Sequence, residues 1–433
     1  MKFNTTVQYN GFTALSKGMT ELLQLKINSL APQGDGVSIT DGRFYYVPGA
    51  IPGDVVEAEV VQRNKKETVT NLCRILTPSP HRRNVPCPVF DRCGGCSMLH
   101  ADDALQRTSK EQTLSRLFSP ASVPLIVAGP PLGYRRLARL HLHRRKNNTI
   151  ALGFYEKKAH RVVDISECPI LDARINAVLS PLKNGMLQGL ESATLRIATG
   201  NEGVFVQVET DLTPDPIFFE KARSAVPETV KGIILHWNGI VSAVAGASTM
   251  TISTAGGNEM NLPVGSFGQA NAHINEKLVG TVSRWILESG VDRMLELYAG
   301  AGNFSYDCRH RLSEITLVEL DSTACDVART NFSDTPTARI ICDDALAAYR
   351  RVGRGAPVVL LDPPRTGARE LAMELARNHH EMIIYVSCNP GTLKRDLAYL
   401  NDGGYEVEEM IGFDMFPQTT HVEVATRLRK RKK

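Results

Sequence analysis

The C-terminal third of the chain alternates short apolar segments with intervals of helical character. Five segments follow one another: RMLELY, EITLVEL, ARIIC, PVVLLD and MIIYVS, which begin at Arg293, Glu314, Ala338, Pro357 and Met382. Short apolar runs separated by helices are typical of buried parallel strands joined by crossovers. The rhythm predicts an α/β fold with a Rossmann-like, doubly wound sheet from residue 267 onward.

The residues before this sheet divide into further regions, because 433 residues exceed what one compact core usually contains. Residues 20–78 combine alternating strands with Gly/Pro turns, which fits a small OB-like β-barrel. Residues 79–266 mix helical and strand-like patterns and predict an α+β central domain, in which the spacing of Leu105, Leu114 and Leu117 predicts a helix that starts at Asp102. Residues 267–433 form the C-terminal domain with a basic tail, and residues 1–19 stay unassigned.

The composition is that of an ordinary globular protein, with 42% hydrophobic and 22% charged residues. Apolar runs such as APVVLLD are far too short to cross a bilayer, and the first residues lack the pattern of a signal peptide. The expected protein is cytoplasmic, monomeric and not associated with a membrane.

Basic residues cluster at two places in the sequence. The chain ends TRLRKRKK, and a second cluster, YRRLARLHLHRRK, starts at Tyr134. Within it Arg139, His141 and His143 alternate with leucines, so they would share the exposed face of a strand. Such clusters favour a phosphate-rich partner, and Arg139 is a candidate substrate-binding residue.

Polar residues and glycines lie where the predicted strands end. The first strand runs into a turn with Gly300 and Gly302, which would let the backbone approach a ligand closely. The second ends at Glu319, which is placed to accept hydrogen bonds from the two ribose hydroxyls of a nucleoside cofactor. Asp344 follows the third strand and could hold an adenine amino group, and Asp362 ends the fourth. Because the glycine turn lacks a dinucleotide fingerprint, the pattern favours S-adenosylmethionine over a nicotinamide cofactor.

The fifth strand ends at Cys388, within VSCNPGTLKRD. Beside a methyl donor, a thiolate can add to C6 of uracil and turn C5 into a carbon nucleophile. C5 then takes the methyl group, a base removes the C5 proton, and the thiol leaves. Asn389 and Pro390 predict a helix whose N-terminus faces Cys388. That dipole is worth only about 0.3–1 kcal/mol, so another group must help to form the thiolate.

A candidate base lies in FPQTTHVEVATRL. If this segment is a strand, Val422 and Val424 face one way, and His421 and Glu423 face the other. A carboxylate beside a histidine at the end of a sheet can accept a proton from carbon. Glu423 is therefore the candidate base, and His421 is a candidate substrate-binding residue.

Four of the nine cysteines form a separate group. Cys87, Cys93 and Cys96 lie in CPVFDRCGGC, and Cys168 lies in DISECPIL. Without a secretory signal, clustered cysteines favour a metal or catalysis over disulfides. The spacing suits either tetrahedral zinc or an iron–sulfur cluster and does not decide between them.

The motifs LDPPRTGA, YVSCNPGTLKRDL and FPQTTHVE together resemble the RNA uracil-5-methyltransferase family, and SFGQAN resembles the segment that opens its catalytic domain. The resemblance implies Cys388 as the nucleophile and Glu423 as the proton-abstracting base. By position, Phe267 would lie close to the target base. Ribosomal members often carry Phe-Cys where this chain has Tyr298-Ala299, a departure that concerns cofactor packing. At the cofactor the resemblance implies Gln269, Tyr298, Glu319 and Asp362, with looser matches at Asn303 and Asp344.

Two further features resemble the ribosomal branch of this family. The cysteine pattern followed by CPIL implies a [4Fe-4S] cluster, and GDGVSITDGRFYYVPGAIPGD resembles the RNA-binding TRAM module. The tRNA-specific branch typically lacks both features. The resemblance therefore implies 23S ribosomal RNA as the substrate. The implied cluster ligands are Cys87, Cys93, Cys96 and Cys168.

Other functions compete with this interpretation. A tRNA uridine C5-methyltransferase would use the same chemistry. An amino-group nucleic-acid methyltransferase is a further candidate, because DPPR is similar to the Asp-Pro-Pro-aromatic motif of those enzymes. In this chain, however, Arg365 replaces the aromatic residue of that motif. A cytosine-5 RNA methyltransferase usually has a second cysteine in this region, and DPPRTGAR has none. In a non-catalytic RNA-binding protein, Cys388 and Glu423 would be dispensable.

Overall fold

The computed structural model describes residues 21–118, 126–266 and 268–431. Three predictions fall outside these ranges: the unassigned segment 1–19, the role of Phe267, and the end of the basic tail. They stay predictions. In the described ranges, no helix is both long and apolar enough to cross a membrane.

The described residues form two compact units. One contains those up to Val85, together with Ser97–Leu117 and Gln418–Thr420. The other contains Pro86–Cys96, the described residues from Phe118 to Pro417, and those from His421 onward. The predicted domain boundaries stay predictions.

The first unit is built on a six-stranded sheet with the order β1-β5-β6-β4-β3-β2. β4 and β6 pair in parallel, and the other neighbours are antiparallel. Alternating residues bury a small core around Leu25, Val47 and Val56 on this sheet. The strands are β1 (Leu22–Lys26), β2 (Ser29–Leu30), β3 (Gly36–Thr40), β4 (Arg43–Val47), β5 (Val55–Arg63) and β6 (Glu67–Thr77).

The predicted helix after Asp102 is confirmed as α1 (Asp103–Leu117), and Asp102 accepts a hydrogen bond from the N–H of Leu105 at 2.8 Å. Its buried face, however, carries Gln106 and Lys110 as well as Leu114. Gln106 is buried because it pairs with Gln418. Its Nε2 donates to Oε1 of Gln418 at 2.8 Å, and its own Oε1 accepts from the backbone N–H of Gln418 at 2.9 Å.

The second unit contains a six-stranded sheet with the order β13-β12-β11-β10-β8-β9. In β8, Leu140 and Leu142 are buried while Arg139 and His143 are exposed, as the alternation predicted. Helix α2 belongs to the core beneath this sheet. The elements are β7 (Ile126–Val127), β8 (Leu137–Arg144), β9 (Ile150–Gly153), α2 (Ala173–Asn184), β10 (Ser192–Thr199), β11 (Val204–Thr210), α3 (Pro216–Ser224), β12 (Val230–Trp237) and β13 (Ile240–Gly246), followed by the hairpin of β14 (Thr249–Ser253) and β15 (Glu259–Pro263).

The five C-terminal strands predicted from the sequence are all present, in an eight-stranded sheet. The sheet is completed by the β21–β22 hairpin and by β7, and β22 runs antiparallel to its neighbours. The strands are β16 (Arg293–Leu297), β17 (Glu314–Glu319), β18 (Ala338–Cys342), β19 (Val358–Leu361), β20 (Met382–Ser387), β21 (Tyr405–Phe413) and β22 (Glu423–Lys430). The helices are α4 (Ala272–Glu288), α5 (Ser322–Asn331), α6 (Ala345–Ala348), α7 (Arg369–Arg377) and α8 (Pro390–Asp402).

The strand order of this sheet is β18-β17-β16-β19-β20-β22-β21-β7. Successive strands are added on one side of β16 as far as β18 and on its other side from β19 onward, so the order reverses between β16 and β19. In open α/β sheets a crevice forms outside the carboxyl ends of the strands at such a reversal, and ligands bind there. β16 leads into Tyr298 and the glycine turn, and β19 leads into Asp362. The topology therefore places the candidate cofactor residues at the position where such a fold binds its ligand.

Candidate active site

The turn after β16 has an unusual backbone. Tyr298, Gly300 and Gly302 have φ angles of +61°, +56° and +96°. A side chain at Gly302 would collide with Phe332, since its Cβ would lie 2.4 Å from that ring. A Cβ at Gly300 would meet no atom of the described chain within 4 Å. The turn is therefore tightly packed on its inner side at Gly302 and has room for a ligand at Gly300.

Glu319, at the end of β17, fixes this turn. Its Oε2 accepts a hydrogen bond from the N–H of Gly300 at 2.9 Å. Its Oε1 accepts from the N–H groups of Leu320 and Asp321 at 2.8 and 2.9 Å. Each carboxylate oxygen can accept two bonds, so Oε2 keeps an acceptor position for a ligand hydroxyl. The structure thus brings two of the sequence-predicted residues into direct contact.

The looser cofactor candidates have local partners. Asn303 exchanges two hydrogen bonds with Asn275 on α4, at 3.0 and 3.1 Å. Asp344 is the N-cap of α6, and its Oδ1 accepts from two backbone N–H groups at 3.0 Å. Burial, together with the charges of Asp344 and Asp396, raises the pKa of Tyr298 to about 12, which places Asp344 near Tyr298. Gln269 is buried, and its main-chain oxygen accepts from Nε of Arg136 at 3.0 Å.

Asp362, at the tip of β19, is electrostatically linked to both halves of the site. Burial raises its pKa to about 7. Its charge in turn helps to raise the pKa values of Glu296, Cys388 and Glu423. The cofactor side of the crevice and the thiol side therefore share this carboxyl group.

Cys388 lies between β20 and α8, and the predicted cap is confirmed. Asn389 is the N-cap, its side chain accepts from the N–H of Gly391 at 3.1 Å, and Pro390 opens the helix. Cys388 is half-buried. Burial, assisted by the charges of Glu423 and Asp362 and opposed by Arg365, raises the pKa of its thiol to about 11.

Glu423 is the first residue of β22, and only 2% of it is exposed. Its Oε1 has no hydrogen-bond partner among the described residues. Burial raises the pKa of this carboxyl group well above its ordinary value, the charge of Asp362 raises it further, and Arg365 opposes both. The structure thus brings together a thiol and a buried carboxyl group, the two groups that the uracil chemistry needs.

The strand predicted around His421 is shorter than expected. The strand begins at Glu423, and Val422, Glu423 and Val424 are all buried. His421 precedes the strand and is exposed, with its ring edge-on to Phe416 at 6.3 Å. Burial on both faces of β22 is usual for a strand inside an α/β sheet. The role of His421 in substrate binding stays a prediction.

Two functional candidates did not emerge as such from the sequence. Arg365 influences both Cys388 and Glu423, and its signal was its position directly after Asp-Pro-Pro at a strand tip. Glu296 is buried within β16, and burial raises its pKa to about 7. Its signal was a carboxyl group within an otherwise apolar strand.

The four grouped cysteines lie in the second unit, and they are not among the residues of the candidate active site. Burial, together with the charges of Cys168, Cys93 and Cys87, raises the pKa of Cys96 to about 12. Burial likewise raises the pKa of Cys168 to about 11. Yet among the described residues no group of three or more His, Cys, Asp or Glu side chains is arranged to hold a metal ion. The predicted ligand set is therefore not confirmed by the arrangement of these side chains and stays a prediction.

Comparison with known proteins bears on the identity of this site. Residues 257–342 and 354–431 match the family model described as tRNA (Uracil-5-)-methyltransferase. The 23S rRNA (uracil(1939)-C(5))-methyltransferase RlmD of Pectobacterium atrosepticum is 30% identical, over 93% of this chain and 92% of its own. The chain belongs to the RNA uracil-5-methyltransferase family. RlmD of Pseudomonas putida is also 30% identical, over 92% of both chains.

A solved structure shares the fold of this RNA uracil-5-methyltransferase family member. It is the Pyrococcus abyssi tRNA (uracil-54, C5)-methyltransferase in complex with S-adenosyl-L-homocysteine. The TM-score is 0.75 at 24% identity, and the match covers 94% of this chain and all of that one. The two ranges matched by the family model contain the glycine turn, Glu319, Asp362, Cys388 and Glu423.

Proposed function

We propose that the protein transfers a methyl group from S-adenosylmethionine to C5 of a uridine in 23S ribosomal RNA, giving 5-methyluridine. Similarity to RlmD proteins over nearly the whole chain supports the ribosomal substrate. The observation that carries the chemistry is the convergence of Cys388, Glu423, Asp362 and Arg365 beside the sheet's reversal point. On this proposal the enzyme works where ribosomes are assembled, in the cytoplasm, and the expectation of a monomer stays a prediction.

The residues at the reversal point fit a nucleoside cofactor. Gly300 leaves space for a ligand, and Oε2 of Glu319 can accept from a ribose hydroxyl. Oδ2 of Asp344 is placed to accept from an adenine amino group, because its two backbone bonds go to Oδ1. When bound, S-adenosylmethionine supplies an electrophilic methyl group. Tyr298 and Asp362 complete the proposed cofactor set.

In the proposed reaction the sulfur of Cys388 bonds to C6 of the uracil, and C5 thereby becomes nucleophilic. After C5 is methylated, Glu423 takes the C5 proton, and the C6–S bond breaks to restore the ring. A carboxyl group whose pKa is raised is a stronger base than an ordinary glutamate, so burial of Glu423 suits this step.

The thiol of Cys388 needs help to lose its proton. Its pKa of about 11 leaves it almost fully protonated at neutral pH, although only the thiolate attacks. Arg365 and the N-terminus of α8 act in the favourable direction, and each is a modest effect at an exposed position. We infer that the thiol loses its proton to water as the uracil ring approaches, so that Glu423 stays unprotonated and can later accept the C5 proton.

The experiment that tests the function uses 23S RNA from cells lacking the protein. Incubation with S-adenosylmethionine should produce 5-methyluridine, detected by nucleoside mass spectrometry, and tRNA from the same cells should stay unmodified. Glu423→Gln should accumulate a covalent RNA adduct carrying the new methyl group. Normal turnover by Cys388→Ala would exclude this mechanism, and methylation of tRNA alone would select the tRNA alternative.

We further propose that Cys87, Cys93, Cys96 and Cys168 hold a [4Fe-4S] cluster. Donor chemistry supports this proposal, because four thiols lie within electrostatic range of one another and none is in a disulfide, although the side chains as described are not arranged around a metal ion. The N–H of Gly95 donates to the sulfur of Cys93 at 3.4 Å, which is a typical contact to a cluster ligand. Such a cluster would stabilise the fold around these cysteines. The reaction proposed for Cys388 and Glu423 does not use it.

The first unit is the proposed TRAM-like RNA-binding module. Its six-stranded sheet includes the segment that resembles that module, which forms β3, β4 and the turn after them. Phe44 and Ile39, large apolar side chains of this segment, are exposed. Exposed aromatic rings on small β-sheets commonly stack with RNA bases.

A further inference from the structure

A groove of about 740 Å³ lies on the exposed face of the β8–β11 sheet. We call it the central groove. Its walls come from β8, β9, β10, the end of β11 and the loop after β9. The roles proposed above, for the methyl donor, the target uridine and the cysteine cluster, do not use it.

Strand register assembles a polar row across the floor of the central groove. His141 on β8 lies opposite Thr194 on β10, and Thr194 lies opposite Glu209 on β11. In the adjacent row Arg139 lies opposite Arg196. Because side chains alternate along a strand, the leucines between these residues point into the core and leave a continuous polar face outside.

An aromatic stack forms one wall of the central groove. The rings of His141 and Tyr155 are parallel within 15°, with centroids 3.8 Å apart, and His160 meets Tyr155 edge-on at 5.3 Å. Tyr155 nevertheless remains 37% exposed. Burial lowers the pKa of His141, and the charges of Arg139 and His160 lower it further, so this ring is neutral at neutral pH. A neutral stack with an exposed ring can extend by one more flat group, such as a nucleobase.

The charges lining the central groove are of both signs, which argues against a simple phosphate patch. Arg145 and Arg161 line it, and so do Glu209 and Asp211. Oε2 of Glu209 has no hydrogen-bond partner among the described residues, and Arg196 is 3.9 Å away. A carboxylate accepts hydrogen bonds and donates none, so it matches a base edge that carries amino and imino hydrogens. Guanine offers both hydrogens on one edge, whereas uracil offers a single imino hydrogen.

The polar face continues towards the segment that contains Gln269. Nη1 of Arg196 donates to the main-chain oxygen of Gly265 at 2.6 Å. Gln207, opposite Arg196, packs so closely on Gly265 that no Cβ would fit there. Nε of Arg136 binds the main-chain oxygen of Gln269. RNA lying along this face would therefore pass from the central groove to a segment of the proposed active site.

We propose that the central groove binds an unpaired guanine of the substrate RNA, stacked on Tyr155 and hydrogen-bonded to Glu209, with Arg145 and Arg161 meeting the flanking phosphates. This inference rests on the proposed activity towards RNA and adds a second base-binding site to that of the target uridine. It makes substrate choice depend on a nucleotide other than the one that is methylated.

The test measures binding of the full chain to three short RNAs by fluorescence anisotropy. Each is a ten-nucleotide uridine strand, with guanosine, inosine or uridine at one central position. Inosine lacks only the amino group of guanosine. The wild type should bind the guanosine strand about tenfold more tightly than the other two. Glu209→Gln should reduce this preference to below about threefold, and Tyr155→Leu should weaken binding of the guanosine strand about tenfold.

Matched variants separate this site from general effects. Tyr155→Phe keeps the ring and should bind as the wild type does, and Glu220→Gln removes an exposed charge on α3, outside the central groove, and should change nothing. With 23S RNA, Tyr155→Leu should raise KM and leave kcat within about twofold. Equal binding of the three strands by the wild type would overturn the proposal. Absence of methylation with the guanosine preference intact would instead count against the proposed function.

Discussion

The side-chain amide of Asn389 donates a hydrogen bond to the main-chain oxygen of Arg365 at 3.0 Å. The hydroxyl of Thr392 donates to the same oxygen at 3.3 Å. One turn carries Cys388 and the other follows Asp362, so these bonds hold the thiol loop and the acid loop together. Asn389 serves both loops, because its Oδ1 also caps α8.

The two bonds of Asn389 are separable by mutation. Asn389→Ala removes both and should lower the free energy of unfolding by about 1 kcal/mol, the usual cost of a lost N-cap. Asn389→Ser keeps a capping oxygen but cannot donate to Arg365 in the same way. It should recover most of the stability, while kcat stays reduced by about tenfold or more, because a small misplacement of reacting groups is costly. Denaturant unfolding and steady-state kinetics measure the two effects, and recovery of both by serine would contradict this division of roles.

The charges around Cys388 predict opposite effects for two variants. Arg365→Gln removes the group that lowers the pKa of the thiol, so the thiolate fraction at a given pH should fall. Glu423→Gln removes a charge that raises this pKa, so the fraction should increase. The rate of iodoacetamide labelling of Cys388 between pH 8 and 10, followed by peptide mass spectrometry, reports the fraction. Labelling rates that change in the same direction in both variants would refute the electrostatic account.

Because Glu296 is buried, its replacement by glutamine should stabilise the protein by an amount that depends on pH. Its pKa is raised from 4.5 to about 7 in the folded protein, so folding favours the protonated form. Its contribution is therefore intact below the ordinary pKa and is lost as the pH rises through about 7. Glu296→Gln should match the wild type at pH 4.5 and exceed it by about 2–3 kcal/mol at pH 8. Urea unfolding at the two pH values measures this, with the exposed Glu228→Gln as a control that should show no change at either.

The cysteine group predicts a metal content. Protein isolated without oxygen should be brown and contain about four irons per chain. A serine at any one of Cys87, Cys93, Cys96 and Cys168 should lower the iron content and the stability together. Cys73→Ser, at an exposed cysteine outside the group, should alter neither. Elemental analysis that returned zinc without iron would rule out the cluster and leave a tetrahedral zinc site.

The strands of the C-terminal sheet could be predicted because both of their faces are buried, which leaves a continuous apolar signal in the sequence. The same property leaves the two faces of β22 equally buried, so burial does not test the roles predicted for His421 and Glu423, which stay predictions. Glu319 and Cys388 were visible because each follows such a strand directly. Arg365 needed the structure, because its effect depends on two groups that are distant in sequence.

Long-range pairing explains the other differences. The leucine spacing of α1 predicted the helix, but the sequence gives no sign that Gln106 would be buried by Gln418, more than three hundred positions away. Likewise, the row of His141, Thr194 and Glu209 depends on strand register. Alternation in β8 predicted one member of that row, and the pairing of strands supplied the others.

Membership of Gln418–Thr420 in the first unit has a practical consequence for anyone who wishes to study that unit alone. A gene fragment ending at Val85 would omit both α1 and Gln418, so Arg83 would lose the side chain that its guanidinium binds. A faithful minimal version has to join three stretches of the polypeptide, and the last of them sits only three positions ahead of Glu423. Deleting the smaller unit from the full-length protein would thus remove residues that lie directly before its proposed base in the chain.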